Sequence, residues 1–278
     1  MSLSRYLPLL LLAAGPACAA DGFMLGGGAE SDSDGGLSAA LIGGVGFSEK
    51  TWLSAGYAQS SVDLLSGRKL DTRYADIELD HHFDPIGIRV GAAYWGDKDV
   101  LESNDWRMAG YYRNDNTTVS FEYEYRDFDF IIPSTDFTTS RRVTFDADGF
   151  GLALRFRTSE NISVRLRGMK YDYSVPFRPV ENVDAARLLS VTRLSLVNSL
   201  VDHRAGISLS IDQGLKNWDI DLSTWENILD RSRTRSLTVR YLFPMTDQTD
   251  LELGVGYDDS ELYGDATFFS LYLFFYGN

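Results

Sequence analysis

The sequence predicts an all-β fold: a transmembrane antiparallel up-and-down β-barrel of about fourteen strands, with twelve as the alternative count. Three observations predict it. Segments of about ten residues alternate apolar with small, polar or charged side chains, as a strand between two unlike environments requires. The connectors between these segments are alternately short and long. The chain also opens with the layout of an export signal.

That opening is read first. Arg5 precedes an apolar run from Leu7 to Ala14, and the small residues Ala17, Cys18, Ala19 and Ala20 follow. The run is too short to span a bilayer. Residues 1–20 read as a removed signal peptide, and 21–278 as one barrel. Lipidation of Cys18 is the competing reading, but Gly15, Pro16 and Ala17 lack the leucine expected before such a cysteine. Cys18 is the single cysteine. Its loss with the leader excludes disulfides, thiol catalysis and cysteine metal sites from the rest of the chain. No later stretch approaches about eighteen consecutive apolar residues, so no transmembrane helix is expected. The net charge is −14, which argues against nucleic acid as a partner, because phosphate binding needs clustered Lys and Arg.

The strands are expected near 22–30, 36–47, 51–61, 70–83, 86–96, 105–114, 117–131, 141–157, 161–173, 201–212, 217–228, 234–243, 249–258 and 265–276. The alternation is plainest at 118–126, where Val119, Phe121, Tyr123 and Tyr125 oppose Ser120, Glu122, Glu124 and Arg126. It recurs at 250–257, where Leu251, Leu253, Val255 and Tyr257 oppose Asp250, Glu252, Gly254 and Gly256. Even-to-odd connectors are short: Ser48–Lys50, Asp84–Pro85, Asp115–Asn116, Thr158–Glu160, Gln213–Lys216 and Pro244–Gln248. Most others are longer. An alternating all-β chain could also be a soluble sandwich. A sandwich needs neither aromatics near both strand ends nor this regular exchange of short and long connectors.

The last segment, Thr267 to Tyr276 (TFFSLYLFFY), resembles the C-terminal assembly signal of bacterial outer-membrane β-barrel proteins, broadly the porin-like group. The match departs at its end, where Gly277 and Asn278 follow the aromatic residue. The resemblance implies an outer-membrane location with both termini periplasmic. It also implies contact with outer-membrane lipids and lipopolysaccharide, and passage through the barrel-assembly machinery during biogenesis. No cofactor is implied, and no oligomeric state.

If the apolar set meets lipid, the alternate set faces the lumen. The inward acids are then Asp76, Glu78, Asp80, Glu122, Glu124, Asp219, Asp221, Asp250 and Glu252. The inward bases are Arg89, Arg107, Arg113, Arg155, Arg157, Arg165, Arg167, Arg204 and Arg240. An Arg facing lipid near the midplane would cost roughly 2–4 kcal/mol, which argues for this facing. Acidic and basic strands alternate in blocks, and neighbouring strands lie about 4.8 Å apart, so ion-pair ladders across the wall are expected. Such walls either set a transverse field in a hydrated pore or close a narrow barrel.

Other features are weighed beside these. Ala185, Leu188, Leu189, Leu196 and Leu200 in the long connector 176–200 fall at spacings that form one helical face. That segment folds into the lumen, caps the mouth, or simply begins the tenth strand early. Glu30, Asp32 and Asp34 before Gly35-Gly36 resemble a calcium loop in spacing, but the twelfth position is Leu41. A solvated polar turn is the plainer reading. The histidines are His81, His82 and His203. Asp202 and His203 are adjacent, so they converge for hydrolytic chemistry only across a bulge. The chain is therefore expected not to be an enzyme. Two functions remain: a porin-like channel for small polar or charged solutes, or a closed structural or interaction barrel in a surface or polysaccharide-export assembly.

Overall fold

The computed structural model describes residues 22–63, 69–132, 141–175, 200–229, 231–261 and 264–277. The expected leader lies outside the described residues, and so does the long connector apart from Leu200. The chain forms fourteen strands: β1 (Gly22–Asp32), β2 (Leu37–Ser48), β3 (Thr51–Asp63), β4 (Lys69–His82), β5 (Ile86–Asp97), β6 (Leu101–Arg113), β7 (Thr117–Ile132), β8 (Arg141–Ser159), β9 (Ile162–Tyr173), β10 (Val201–Gln213), β11 (Lys216–Asn227), β12 (Arg233–Thr246), β13 (Thr249–Ser260) and β14 (Gly264–Gly277). Each pairs antiparallel with its sequence neighbours, and β1 pairs with β14 from Phe23↔Gly277 to Asp32↔Phe268. The sheet is therefore a closed barrel, which removes the open edges that hydrocarbon would not solvate.

The connectors sort by end. At one end, the short-turn end, the strands are joined by residues 49–50, 83–85, 114–116, 160–161, 214–215 and 247–248. These turns close on local chemistry. The Asn114 carboxamide oxygen accepts from the amides of Asn116 and Thr117 at 3.1 and 2.8 Å, and Gly214 supplies a positive φ of 70°. The opposite, long-loop end holds connectors 33–36 and 98–100, together with those that include undescribed residues. The fourteen-strand count holds, and twelve is excluded.

Side chains alternate between two environments throughout. The outward set is apolar and open: Phe121 is 70% exposed and Phe150 65%, and Leu152, Leu166, Leu222, Leu237 and Val255 continue the band around the wall. Bare apolar area on this scale is stable only against lipid. The inward set is mostly small or polar over β1–β3, where Gly26, Gly28, Ala40, Gly44, Ser54, Gly56, Ala58 and Ser60 share one face with the larger Met24, Ile42 and Trp52. Several inward aromatic rings lie across a registered glycine on the next strand. Phe274 covers Gly26, Tyr272 covers Gly28, Phe268 covers Gly256 and Tyr171 covers Gly149. A Cβ at Gly256 would fall inside the Phe268 ring, so glycine there is what lets the ring lie flat on the wall.

The largest boundary difference from the sequence reading is in β6. β6 begins at Leu101 rather than near 105, because Glu102, Ser103 and Asn104 look like loop. Leu101 and Ser103 are fully buried, because this end of β6 packs into an apolar cluster at the long-loop end. The cluster joins Trp95, Phe128, Phe145 and Ala147 on the inner wall to Val100, Leu200, Ile228 and Leu229 from the connectors. Phe128 stacks on Phe145 at 4.8 Å and meets Trp95 edge-on at 6.2 Å. Backbone bonds from Ile228 to the Leu200 carbonyl and from Ile131 to the Val100 carbonyl, both 2.8 Å, hold the connectors down on it.

The lipid-facing assignment is tested on the β8 wall. Leu152→Arg places a charge on the outward face, and it should lower the folding free energy in lipid vesicles by roughly 2–4 kcal/mol if Leu152 sits near the midplane. Equilibrium urea titration reads the change. Unaltered stability would reverse the facing of β8.

Candidate functional site

The inner wall from β4 to β10 carries most of the charge, and strand register decides which side chains meet. Glu78, Gly91, Arg107, Glu124, Gly149 and Tyr171 lie in one row of direct partners across β4–β9. The glycines in that row leave room for the long side chains on either side. Glu124 is the hub. It receives Arg107 at 3.3 Å, Arg126 at 3.9 Å, Arg204 at 3.5 Å and the Tyr171 hydroxyl at 2.7 Å. Arg126 also meets Asp105 at 3.3 Å, and Ser103 donates to the same Asp105 oxygen. The guanidinium of Arg126 lies 4.9 Å from the Phe128 ring centre and 5.5 Å from that of Trp95. The apolar cluster thus roofs a buried ion-pair group.

A second group lies closer to the short-turn end. Glu122 takes Arg167 at 2.8 Å and Arg89 at 4.0 Å, and Arg89 also reaches Glu78 and Asp80 at 3.9 and 4.0 Å. The Tyr111 hydroxyl donates to Asp80 at 2.6 Å. Beyond it, Arg113, Thr118, Arg155, Arg165, Ser208 and Asp221 form another register row. Arg155 and Arg165 are direct cross-strand partners.

Three cavities follow one another along the interior. The first, about 280 Å³, lies among Asp80, Arg89, Arg113, Glu122, Arg155 and Arg165. The second, about 290 Å³, shares Arg89, Glu122 and Arg167 with the first and adds Arg107, Glu124 and Arg204. The third, about 320 Å³, shares Arg107, Glu124 and Arg204 with the second. It opens between the small residues Ser38, Ala58 and Ser60 on one side and Trp95, Asp105 and Arg126 on the other. Space lined by charged side chains therefore runs from near the short turns to the underside of the apolar cluster.

The structure gathers the expected charges unevenly. Arg89, Arg167, Glu78, Asp80 and Glu122 form one ion-pair group, and Arg107 and Arg204 join Glu124 in another. Asp76 stands across β4–β5 from Ala93 and beside Arg107, outside the ion pairs. On the far wall, Asp219 and Arg240 are register partners, and Glu252 follows on β13. The outward residues Leu222, Leu237 and Leu253 are exposed, so these charges share the other face. Among the described residues Asp219, Asp221, Arg240, Asp250 and Glu252 make no ion pair within 4.0 Å. The expected ladders therefore do not run around the whole barrel. They belong to β4–β10, where glycines and cross-lumen reach bring the groups together. Asp105 and Tyr171 were missed by sequence reading. Asp105 was taken as a strand end, although Ser103, Asp105, Arg107 and Ala109 already alternate.

The histidines and acidic loop resolve locally. His81 accepts or donates at 2.8 Å to Thr51. His82 is buried, stacks on Tyr111, and lies 2.5 Å from Asp84 in the following turn. A register shift between Val201 and His203 supplies the bulge that regular alternation lacks. His203 Nδ1 consequently meets Asp202 at 2.8 Å, with Glu226 nearby. Arg231 already sits 3.0 Å from Asp202 and 3.3 Å from Glu226, so a cation occupies the space between those carboxylates. Asp32 accepts from the amides of Asp34 and Gly36 at 3.0 and 2.7 Å, which makes this segment a polar turn closed on itself.

No family model matches the sequence, and no curated protein matches it. Solved structures match the fold. The CymD monoaromatic hydrocarbon channel aligns with a TM-score of 0.58 at 8% identity, over 96% of this chain and 92% of that one. The TodX deltaS2S3 mutant monoaromatic hydrocarbon channel gives 0.55 at 11% identity, over 96% and 94%. Outer-membrane expressed OmpT of Vibrio cholerae gives 0.52 at 8% identity, over 92% and 97%. At these identities the likeness is one of fold: the chain has the barrel of bacterial outer-membrane porins and channels.

Two outcomes follow from the geometry. Arg126→Met leaves Asp105 and Glu124 buried without their shared guanidinium, and it should cost about 3–5 kcal/mol by denaturant titration. An unchanged midpoint would mean that Arg126 is dispensable to the network. At the short-turn end, hydrogen bonds from Lys50 and His82 hold the exposed Asp84 carboxyl below its ordinary range. A depressed carboxylate contributes above its unfolded value and loses that contribution as pH falls. Hydrogen exchange at the 83–85 turn should therefore accelerate on acidification through the carboxylate range, and Asp84→Asn should abolish that pH dependence.

Proposed function

We propose that the chain is an outer-membrane channel of the porin kind, passing small polar or charged solutes through a lumen lined by Arg, Asp and Glu. The carrying observation is the run of three adjoining cavities, each lined by charged side chains, inside a closed barrel whose outer face is apolar. A barrel of about this strand number lies between small filled barrels and wide porins, so its openness depends on how its side chains pack. Arg89, Arg107, Arg113, Arg155, Arg165, Arg167 and Arg240 are the proposed selectivity bases. Asp76, Glu78, Glu122, Glu124, Asp219, Asp221 and Glu252 are the opposing acids. In this reading residues 1–20 direct export, and the short turns face the periplasm with both termini.

A specific observation also favours the second reading, a closed structural or interaction barrel. The apolar cluster under the connectors and the Arg126–Asp105–Glu124 group fill part of the long-loop end. His82 is engaged by Asp84 and Tyr111, and Asp202 by Arg231, so both are committed to local contacts.

Planar-bilayer recording of the refolded barrel in a salt gradient separates the two readings. Steady conductance with a charge preference is expected, and replacing Arg165 and Arg167 together with Ser should move the reversal potential toward cation preference. A folded but silent barrel would favour the closed scaffold.

A further inference from the structure

We propose that the short-turn mouth of the barrel is a binding site for small solutes carrying two or more oxyanion groups, carboxylate or phosphate. The proposal rests on the channel reading only for how the solute arrives; the site itself is read from local geometry.

Five guanidinium groups and two carboxylates line the 280 Å³ cavity at this end. Both carboxylates are already engaged. Glu122 is held by Arg167 and Arg89, and Asp80 by the Tyr111 hydroxyl and Arg89. Arg113, Arg155 and Arg165 are left over. Among the described residues none of the three has a carboxylate within 4.0 Å, and Arg155 makes only a 3.4 Å bond to Ser163.

The arrangement is costly without an anion. Arg155 and Arg165 are direct register partners, and like charges placed opposite each other on one sheet face repel. Arg113 reaches the same row through Thr118, which pairs with both Arg113 and Arg155. On the other side Arg165 pairs with Ser208, whose hydroxyl donates to Asp221 at 2.6 Å. The nearest acid along that row is thus already hydrogen-bonded by its own neighbour. Three guanidinium forks on β6, β8 and β9, none within 4.0 Å of a carboxylate, present a multiply donating surface to the cavity. Guanidinium forks match carboxylate and phosphate in a bidentate way, and one oxyanion group per fork would relieve the repulsion. A chloride ion offers no such geometry.

The test uses the full folded barrel in detergent micelles, its fold checked by heat-modifiable gel mobility. Calorimetric titration with citrate and with pyrophosphate should show binding that weakens as salt rises. Arg155→Ser with Arg165→Ser should weaken it by about tenfold or more. A preference for one probe assigns the site to carboxylates or to phosphates. In bilayers, the same two probes should reduce the chloride current more from the short-turn side than from the other, and sucrose should not. Arg155→Gln guards against misfolding: removing one member of a repelling pair should leave stability unchanged or raised at low salt. Conductance without probe binding, or equal binding by the double variant, would overturn this site and leave the channel standing. Binding without conductance would support the site and overturn the channel. A marked loss of stability in Arg155→Gln would count against it, because it would give the pair a structural role.

Discussion

Everything in this molecule depends on pairing the backbone without water. Inside hydrocarbon an unpaired amide or carbonyl has no partner, so a spanning sheet is viable only if its first strand meets its last. The β1–β14 ladder, Phe23↔Gly277 to Asp32↔Phe268, makes that closure. Closure in turn imposes two faces of opposite chemistry on every strand. The same constraint that makes the outside apolar leaves the inside free to carry nine-tenths-buried charges such as Arg126, provided that they neutralise one another.

The interior then divides by residue size. On β1–β3 the wall is mostly Gly, Ala and Ser, and aromatic rings from β14 lie flat over Gly26 and Gly28. On β4–β10 glycines alternate with charged residues instead, so Arg107, Glu124 and Tyr171 converge across Gly149 rather than standing in separate rows. The apolar cluster around Phe128 closes over that convergence at the long-loop end, and the unpaired arginines lie at the other. Apolar contact thus covers paired charges at one end of the wall, and arginines without an ion pair line the other.

Much of this was legible before any coordinates. Period two marked every strand, because a two-faced wall writes its faces into successive residues, and connector lengths exposed the two ends. What stayed hidden depended on distance. Alternation says that Arg165 and Arg240 share the inner face, yet nothing in it says that Arg167 reaches Glu122 two strands away while Arg240 and its partner Asp219 remain apart. Nor does it show a bulge such as the one beside His203, where one residue slips the register and brings Asp202 round to its neighbour. The start of β6 was lost for a related reason: Glu102 and Asn104 read as loop, and only the burial of Leu101 against Phe128 explains why the strand continues.

The third cavity has a further consequence. Its two sides differ in kind: Ser38, Ala58 and Ser60 face Trp95, Asp105 and Arg126. The aperture there is a slot between a smooth wall and a charged one. Lengthening a small side chain on β2 or β3 narrows the slot from the side that carries no charge, while the charges on β6 and β7 act from the other. In the proposed channel, selection by bulk and selection by charge would therefore be set from different strands.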